Sequence, residues 1–235
     1  MANAIESVLR QTYTDFEIIV CDDRSTDNTK AVVEQFKDGR VKYLLNPGCK
    51  GPSAARNSAI KVAGGEYIAF LDDDDEWLED KLSCQIAVME KSSSRVGGIH
   101  SNLMRIDRVT GTEVFEKHDT LKLKGNLYYT LGVSNPIKTS TLIIRRKCLD
   151  EIGLFDETMS YMEDRDLLIR LSRKWDFEYV SKPLVRYYYH ARGQLTGNIK
   201  AQIDGKEKVF SRYPEIFQNN RKKWSAYLLG LGIQY

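Results

Sequence analysis

Three short runs constrain this chain more than anything else in it. "FEIIVC" (16–21), "VKYLL" (41–45) and "EYIAFL" (66–71) are compact, β-branched or aromatic, and mostly apolar. Runs of that length without polar alternation read as strands covered on both faces. Helical patterns separate them. "TKAVVEQFK" follows the capping residues Asp27 and Asn28. "SAARNSAIKVAGG" has Ser53 as a candidate N-cap and Gly64 and Gly65 as a stop. "LEDKLSCQIAVMEK" is amphipathic again. Strand and helix alternating at this spacing predict βαβ units, an α/β class, and a mainly parallel sheet flanked by helices.

The helix "AIESVLRQTY" stands directly before the first strand, behind Met1, Ala2 and Asn3 alone. In a doubly wound sheet such a helix crosses over from an earlier strand. The expectation is therefore a fold that starts with a helix or one that lacks its first strand. The second half is less regular. "HSNLMRIDRVTGTEVFEK" reads as two strands around a Thr-Gly turn, and "TSTLIIRRKCLDEIGLFD" as a strand, a short helix and a loop. "EDRDLLIRLSRKW" is a helix, and "EYVSKPLVRYYYH" a strand pair or extended run. No linker or repeat interrupts the 235 residues, so one compact domain is expected, with lobes 1–98 and 99–235.

Each of these two strands ends in acid: "FEIIVCDD" at Asp22 and Asp23, and "EYIAFLDDDD" at Asp72 onward. Parallel strands put their carboxyl ends on one rim, where open α/β sheets bind ligands. Asp72, Asp73, Asp74 and Asp75 repel one another, and Glu76, Glu79 and Asp80 follow without a base among them. A divalent cation, Mn²⁺ or Mg²⁺, is the natural compensating charge, because hard cations take oxygen ligands. The bland alternative is a solvated loop capping the next helix. No GxGxxG follows a strand and no GxxxxGK[ST] occurs, which argues against dinucleotide dehydrogenases and P-loop enzymes.

Further along, Asp164, Leu168, Leu171 and Trp175 share one helical stripe. Asp164 is then either a helix-capping acid or a general base facing a cleft. Asp166 pairs with Arg170 at i, i+4 on another face and reads as a surface pair. A net charge of +2 gives no field that points to nucleic acid, although Arg145–Lys147 and Arg221–Lys223 are basic clusters. The four cysteines form no CxxC pair, and Cys21 and Cys84 read as small core residues of a reduced, cytosolic protein. The tail "WSAYLLGLGIQY" is too short to span a bilayer and reads as a docked helix or strand. A peripheral contact with the inner face of a membrane stays open.

Five strings in order, "ESVLRQTYTDFEIIVCDDRSTDNT", "GPSAARNSAI", "GEYIAFLDDDD", "LIIRRKCLDEIGLFDE" and "EDRDLLIRL", resemble the inverting GT-A glycosyltransferases of family 2. The resemblance runs from about Ala4 to His190. It implies a UDP-linked sugar donor, a saccharide or lipid-linked acceptor with a reactive hydroxyl, and a divalent metal. By that resemblance Asp23 pairs with the uracil edge beside Asp22, and Arg56 of "ARN" lies near the donor. Asp72 and Asp73 lie near the ribose and diphosphate, and Asp74 and His190 are metal ligands. Asp164 of the "ED" pair is the catalytic base, with Glu163 beside it in the substrate site. The family's opening strand and Pro-Thr-Tyr-Asn-like turn have no counterpart here. Two rivals follow, a nucleotidyltransferase and a catalytically inactive nucleotide-sugar-binding protein.

Overall fold

The computed structural model describes residues 1–115, 123–189 and 199–218. The first half runs α1 (Ala2–Leu9), β1 (Ile18–Asp22), α2 (Thr29–Glu34), β2 (Val41–Leu45), α3 (Pro52–Val62), β3 (Tyr67–Ala69), β4 (Glu76–Trp77) and α4 (Lys81–Lys91). The second half runs β5 (Val96–Asp107), β6 (Glu113–Phe115), α5 (Tyr128–Val133), β7 (Ile143–Arg145), α6 (Arg146–Ile152), α7 (Glu163–Ser172), β8 (Asp176–Tyr189), α8 (Ile199–Arg212) and α9 (Pro214–Gln218). The strand–helix rhythm is present as the apolar runs predict. The tail "WSAYLLGLGIQY", the cluster Arg221–Lys223 and His190 lie outside the described residues.

The class is α/β, and its sheet is mixed. β1 and β2 pair in parallel by themselves. The other six strands form one sheet in the order β3-β7-β5-β8-β4, with β6 on β5. There β5 and β8 run parallel, whereas β3–β7, β5–β7, β5–β6 and β4–β8 are antiparallel. The βα rhythm governs only the first half of the chain. β6 arrives through a tight hairpin from β5, a connection that imposes antiparallel pairing. β8 is one strand of 14 residues. Its register against β5 slips where Pro183 faces Asn102, since proline has no N–H for the ladder. β5 runs straight through residue 98, so the two expected lobes share a strand.

Side-chain alternation on that sheet divides the core in two. Ile143 of β7 packs with Val8, Leu82, Ile86 and Met89 on the α1/α4 side. Ile144, its neighbour, packs with Leu149, Leu167, Leu168 and Phe177 on the side of α6 and α7. Gly98 lets the sheet close on that second layer, because a Cβ there would meet Phe177 Cε1 at 2.7 Å. Among the described residues no helix is long and apolar enough to cross a membrane.

Several local expectations change. Gly51, at φ 127°, takes the N-cap of α3, Pro52 opens the helix, and the Ser53 hydroxyl is buried without a hydrogen-bond partner among the described residues. Arg146 closes the other end of α3, donating to Ala63 O at 2.5 Å and Gly65 O at 2.7 Å. All four cysteines are free, but Cys148 is the buried one, while Cys21 and Cys84 are half-buried. Asp166 is fully buried rather than a surface acid. It accepts from Arg170 Nε (2.9 Å), Arg212 Nη1 (2.6 Å) and Tyr213 OH (2.7 Å), because α8 and its exit cover that face of α7.

Candidate active site

Asp22 and Asp23 close β1, and hydrogen bonds hold both. Tyr43 OH donates to Asp22 Oδ2 at 2.6 Å and the Ser25 amide to Oδ1 at 2.7 Å. Burial pushes the Asp22 carboxyl up, but these bonds outweigh it and hold it below the usual carboxylate range. Asp23 accepts from Asn46 Nδ2 at 2.7 Å and from the Gly51 amide at 2.8 Å. Asp23 thereby ties the end of β1 to the start of α3. Asn46 is itself buried and also accepts from Ser58 Oγ and the Gly48 amide.

α3 carries Arg56 from that junction into the centre of the site. Its Nη2 donates to Asp72 Oδ1 at 2.9 Å, and its Nη1 to Glu163 Oε1 at 3.0 Å. One guanidinium thus joins the acidic loop after β3 to the first residue of α7, 107 positions from itself in sequence. The Arg56 side chain is 20% exposed, and burial works against its charge, but Asp72 and Glu163 more than restore it. Burial first, and the charge of Asp164 second, push the Glu163 carboxyl up against the pull of Arg56. Asp164 sits beside Glu163 in the first turn of α7, where a carboxylate is favoured by the helix dipole. Its Oδ2 accepts from Asn135 Nδ2 at 2.9 Å and its Oδ1 from the Arg165 amide at 2.7 Å. Met162, just before, takes a left-handed φ of 64° and turns the chain into the helix.

The four aspartates have four different surroundings. Asp72 holds Arg56. Asp73 is exposed and makes no hydrogen bond or ion pair among the described residues. Asp74 is half-buried, and burial followed by the charges of Asp72 and Asp73 pushes its carboxyl up. Asp75 is 1% exposed and accepts from Ser140 Oγ at 2.5 Å and the Tyr188 amide at 3.1 Å. Burial raises its carboxyl to about 7. Arg108, on the β5–β6 turn, stacks over Tyr188 and donates to Asp74 O at 2.6 Å. A cleft of about 420 Å³ opens here, lined by Asp73, Asp74, Glu76, Arg108 and Tyr188 among others.

Among the described residues no three ligand side chains converge on one point. That donor set fits a hard cation that uses one or two carboxylates and completes its shell with substrate phosphate and water. Burial and then the charges of Asp72 and Asp73 push the Asp74 carboxyl up, and Asp73 makes no ion pair among the described residues. Asp23, Arg56, Asp72, Glu163 and Asp164 are thus linked through α3 and Arg56, while Asp73 and Asp74 line the adjoining cleft. Asn46, Arg108, Asn135 and Ser140 are the residues that the sequence did not announce, since each matters through a partner remote in the chain.

The family described as Glycosyl transferase family 2 matches residues 1–153. The chain is 51% identical over 90 residues to the Escherichia coli UDP-Glc:alpha-D-GlcNAc-diphosphoundecaprenol beta-1,3-glucosyltransferase WfgD, a match covering 38% of this chain and 36% of that protein. It is 38% identical over 168 residues to the enzyme of the same description named WfaP, also from Escherichia coli, covering 72% of this chain and 62% of that protein. The matches therefore span between about a third and two thirds of those relatives' lengths. Among solved structures, TarS 1-349 of S. aureus in complex with UDP-GlcNAc superposes with a TM-score of 0.67 at 21% identity, covering 88% of this chain and 62% of that one. At that identity the likeness speaks for the fold.

Proposed function

This chain belongs to glycosyl transferase family 2, and from that membership we propose that it moves a hexose, with inversion, from a UDP-linked donor to a hydroxyl of a saccharide carried on a lipid diphosphate. The observation that carries this reading is the Arg56 bridge, in which one guanidinium joins the acidic loop at Asp72 to Glu163, the neighbour of Asp164. The acceptor class rests on the descriptions of the two Escherichia coli relatives, which name a UDP-Glc donor and a diphosphoundecaprenol-linked sugar.

In this reading residues 1–98 hold the donor and the remainder holds the acceptor. Asp23 and Asp22 lie at the β1 rim, where the uracil would sit. Asp164 takes the proton of the acceptor hydroxyl as its oxygen attacks the anomeric carbon. The new carbon–oxygen bond forms while the bond from the anomeric carbon to the diphosphate breaks, and the electron pair leaves with UDP. A single displacement of this kind inverts the anomeric centre. Arg56 supplies positive charge toward the donor side. Asp74, with Asp73 beside it, would hold Mn²⁺ or Mg²⁺, whose charge offsets that of the leaving diphosphate. A lipid-linked acceptor would put the protein at the cytoplasmic face of a membrane, in surface-polysaccharide synthesis.

Asp164→Asn tests the reading. It keeps the shape and the Asn135 contact but cannot accept the proton. Transfer from UDP-glucose should fall by at least about 100-fold, the lower range of general-base contributions, with UDP affinity within about twofold of wild type. Loss of UDP binding alongside transfer would remove Asp164 from the role of base.

A further inference from the structure

One short segment touches both halves of the reaction centre. Residues 135–140 read Asn-Pro-Ile-Lys-Thr-Ser and join α5 to β7. At the first position, Asn135 Nδ2 donates to Asp164 Oδ2 at 2.9 Å. The orientation of that amide is fixed, because its Oδ1 accepts from the Ile137 amide at 3.2 Å. Pro136 restricts Asn135 to extended backbone, and the fully buried Ile137 anchors the segment in the core. At the last position Ser140 is fully buried. Its Oγ donates to Asp75 Oδ2 and accepts from the Asp72 amide at 3.2 Å, and its carbonyl accepts from Trp77 Nε1 at 2.9 Å. Three points of the acidic loop, at residues 72, 75 and 77, therefore hang on one serine.

We propose that residues 135–140 form a positioning strap, in which Asn135 aims the base Asp164 while Ser140 sets the acidic loop that receives the donor. The inference rests on the glycosyltransferase reading of Asp164 and Asp74. Neither Asn135 nor Ser140 touches the reacting atoms, so both are positioning residues. The carboxylate oxygen that accepts from Asn135 keeps a second lone pair, and its direction is what the amide fixes. The two ends of the strap make separable contributions, because they hold different groups.

The test uses Asn135→Ala and Ser140→Ala in the full chain. Asn135→Ala should lower kcat by about 10- to 100-fold, with Kd for UDP and Mn²⁺ within about twofold. Ser140→Ala should weaken binding of UDP with Mn²⁺ by about 10-fold or more, with the residual kcat at saturating donor less affected. A common loss of both parameters in both variants, tracking a drop in Tm, is what simple destabilisation gives, and it overturns the strap. Wild-type turnover abolished in Asp164→Asn but kept in Asn135→Ala also overturns it and leaves the function standing. A wild-type chain that transfers nothing from any UDP-sugar fails the function instead. The strap is then decided by binding alone: UDP with Mn²⁺ should bind Ser140→Ala about 10-fold more weakly and Asn135→Ala within about twofold of wild type, and equal affinities for the two variants overturn it.

Discussion

Lys81 illustrates how a single side chain can be buried at a cost. It opens α4, is fully buried, and its ammonium has no hydrogen-bond partner among the described residues. It lies 4.1 Å from the centroid of Trp77, so the ring face is its one favourable contact. Burial drives its pKa well below the ordinary 10.5. The unfolded chain then binds the proton more readily than the folded one. This group's contribution to stability therefore rises with pH up to 10.5 and is smallest in acid. Lys81→Met keeps the volume and removes the buried amine. Thermal melting should rise by roughly 2–4 °C for each kcal/mol recovered, with about 1 kcal/mol or more expected near neutral pH. The gain should shrink as pH approaches 10.5; a variant that melts lower than wild type at pH 7 would mean that the cation–ring contact outweighs burial. Local sequence could not flag Lys81, because "LEDKLSCQ" places it as any polar first-turn residue. What buries it is packing from elsewhere in the chain, where α4 lies against β5 and β8.

Elements were legible where their own residues decide them. β2 falls on the expected 41–45, and the hairpin of β5 and β6 turns at the expected Thr-Gly. α7 was legible as a helix but not in its faces. A helical wheel gives it one apolar stripe with Asp164 and a separate charged face with Asp166. In the fold Arg165, Asp166, Leu167, Leu168, Ile169, Leu171 and Ser172 are all buried, so no side of its middle faces water. Asp166 thus becomes the junction of three elements. Arg170 carries its charge to the carbonyls of Ile152 and Leu154 at the end of α6, and Arg212 and Tyr213 bring in α8 and the turn after it. Removing one partner from such a cluster leaves the others buried and uncompensated. Asp166→Ala should therefore cost about 3–5 kcal/mol, read as a lower urea midpoint. A cost under about 0.5 kcal/mol is what a surface pair gives and would restore the original view of Asp166. Because α7 also carries Glu163 and Asp164, the same variant should lose turnover in step with its loss of folded protein.

At the scale of the whole molecule, acids at the candidate site outnumber the bases that meet them. Acids from the loop after β3 and the start of α7 share Arg56, and the β1 end joins them through the Asp23 contact with the start of α3. Arg108 reaches the loop only at the Asp74 carbonyl, not its carboxylate. The net charge of +2 hides this local excess, which is why composition alone could not reveal it, whereas the run of aspartates at a strand end could. A site of this kind should bind a nucleoside diphosphate poorly by itself, since phosphate would meet carboxylate, and well when a divalent cation sits between them. Any ligand that binds only the folded chain raises its stability by RT ln(1 + [L]/Kd), about 2.7 kcal/mol at 100-fold excess over Kd. At roughly 2–4 °C per kcal/mol, UDP with Mn²⁺ should raise Tm by about 5–10 °C. UDP with a chelator should raise it by far less. Asp74→Ala should behave with Mn²⁺ as wild type does with chelator, because this carboxyl lines the cleft and burial, then the charges of Asp72 and Asp73, push it up. An equal shift with and without metal would mean that Arg56 and backbone amides alone hold the diphosphate. The charge of the acidic loop would then serve the fold, through Asp72 on Arg56 and Asp75 on Ser140, rather than a cation.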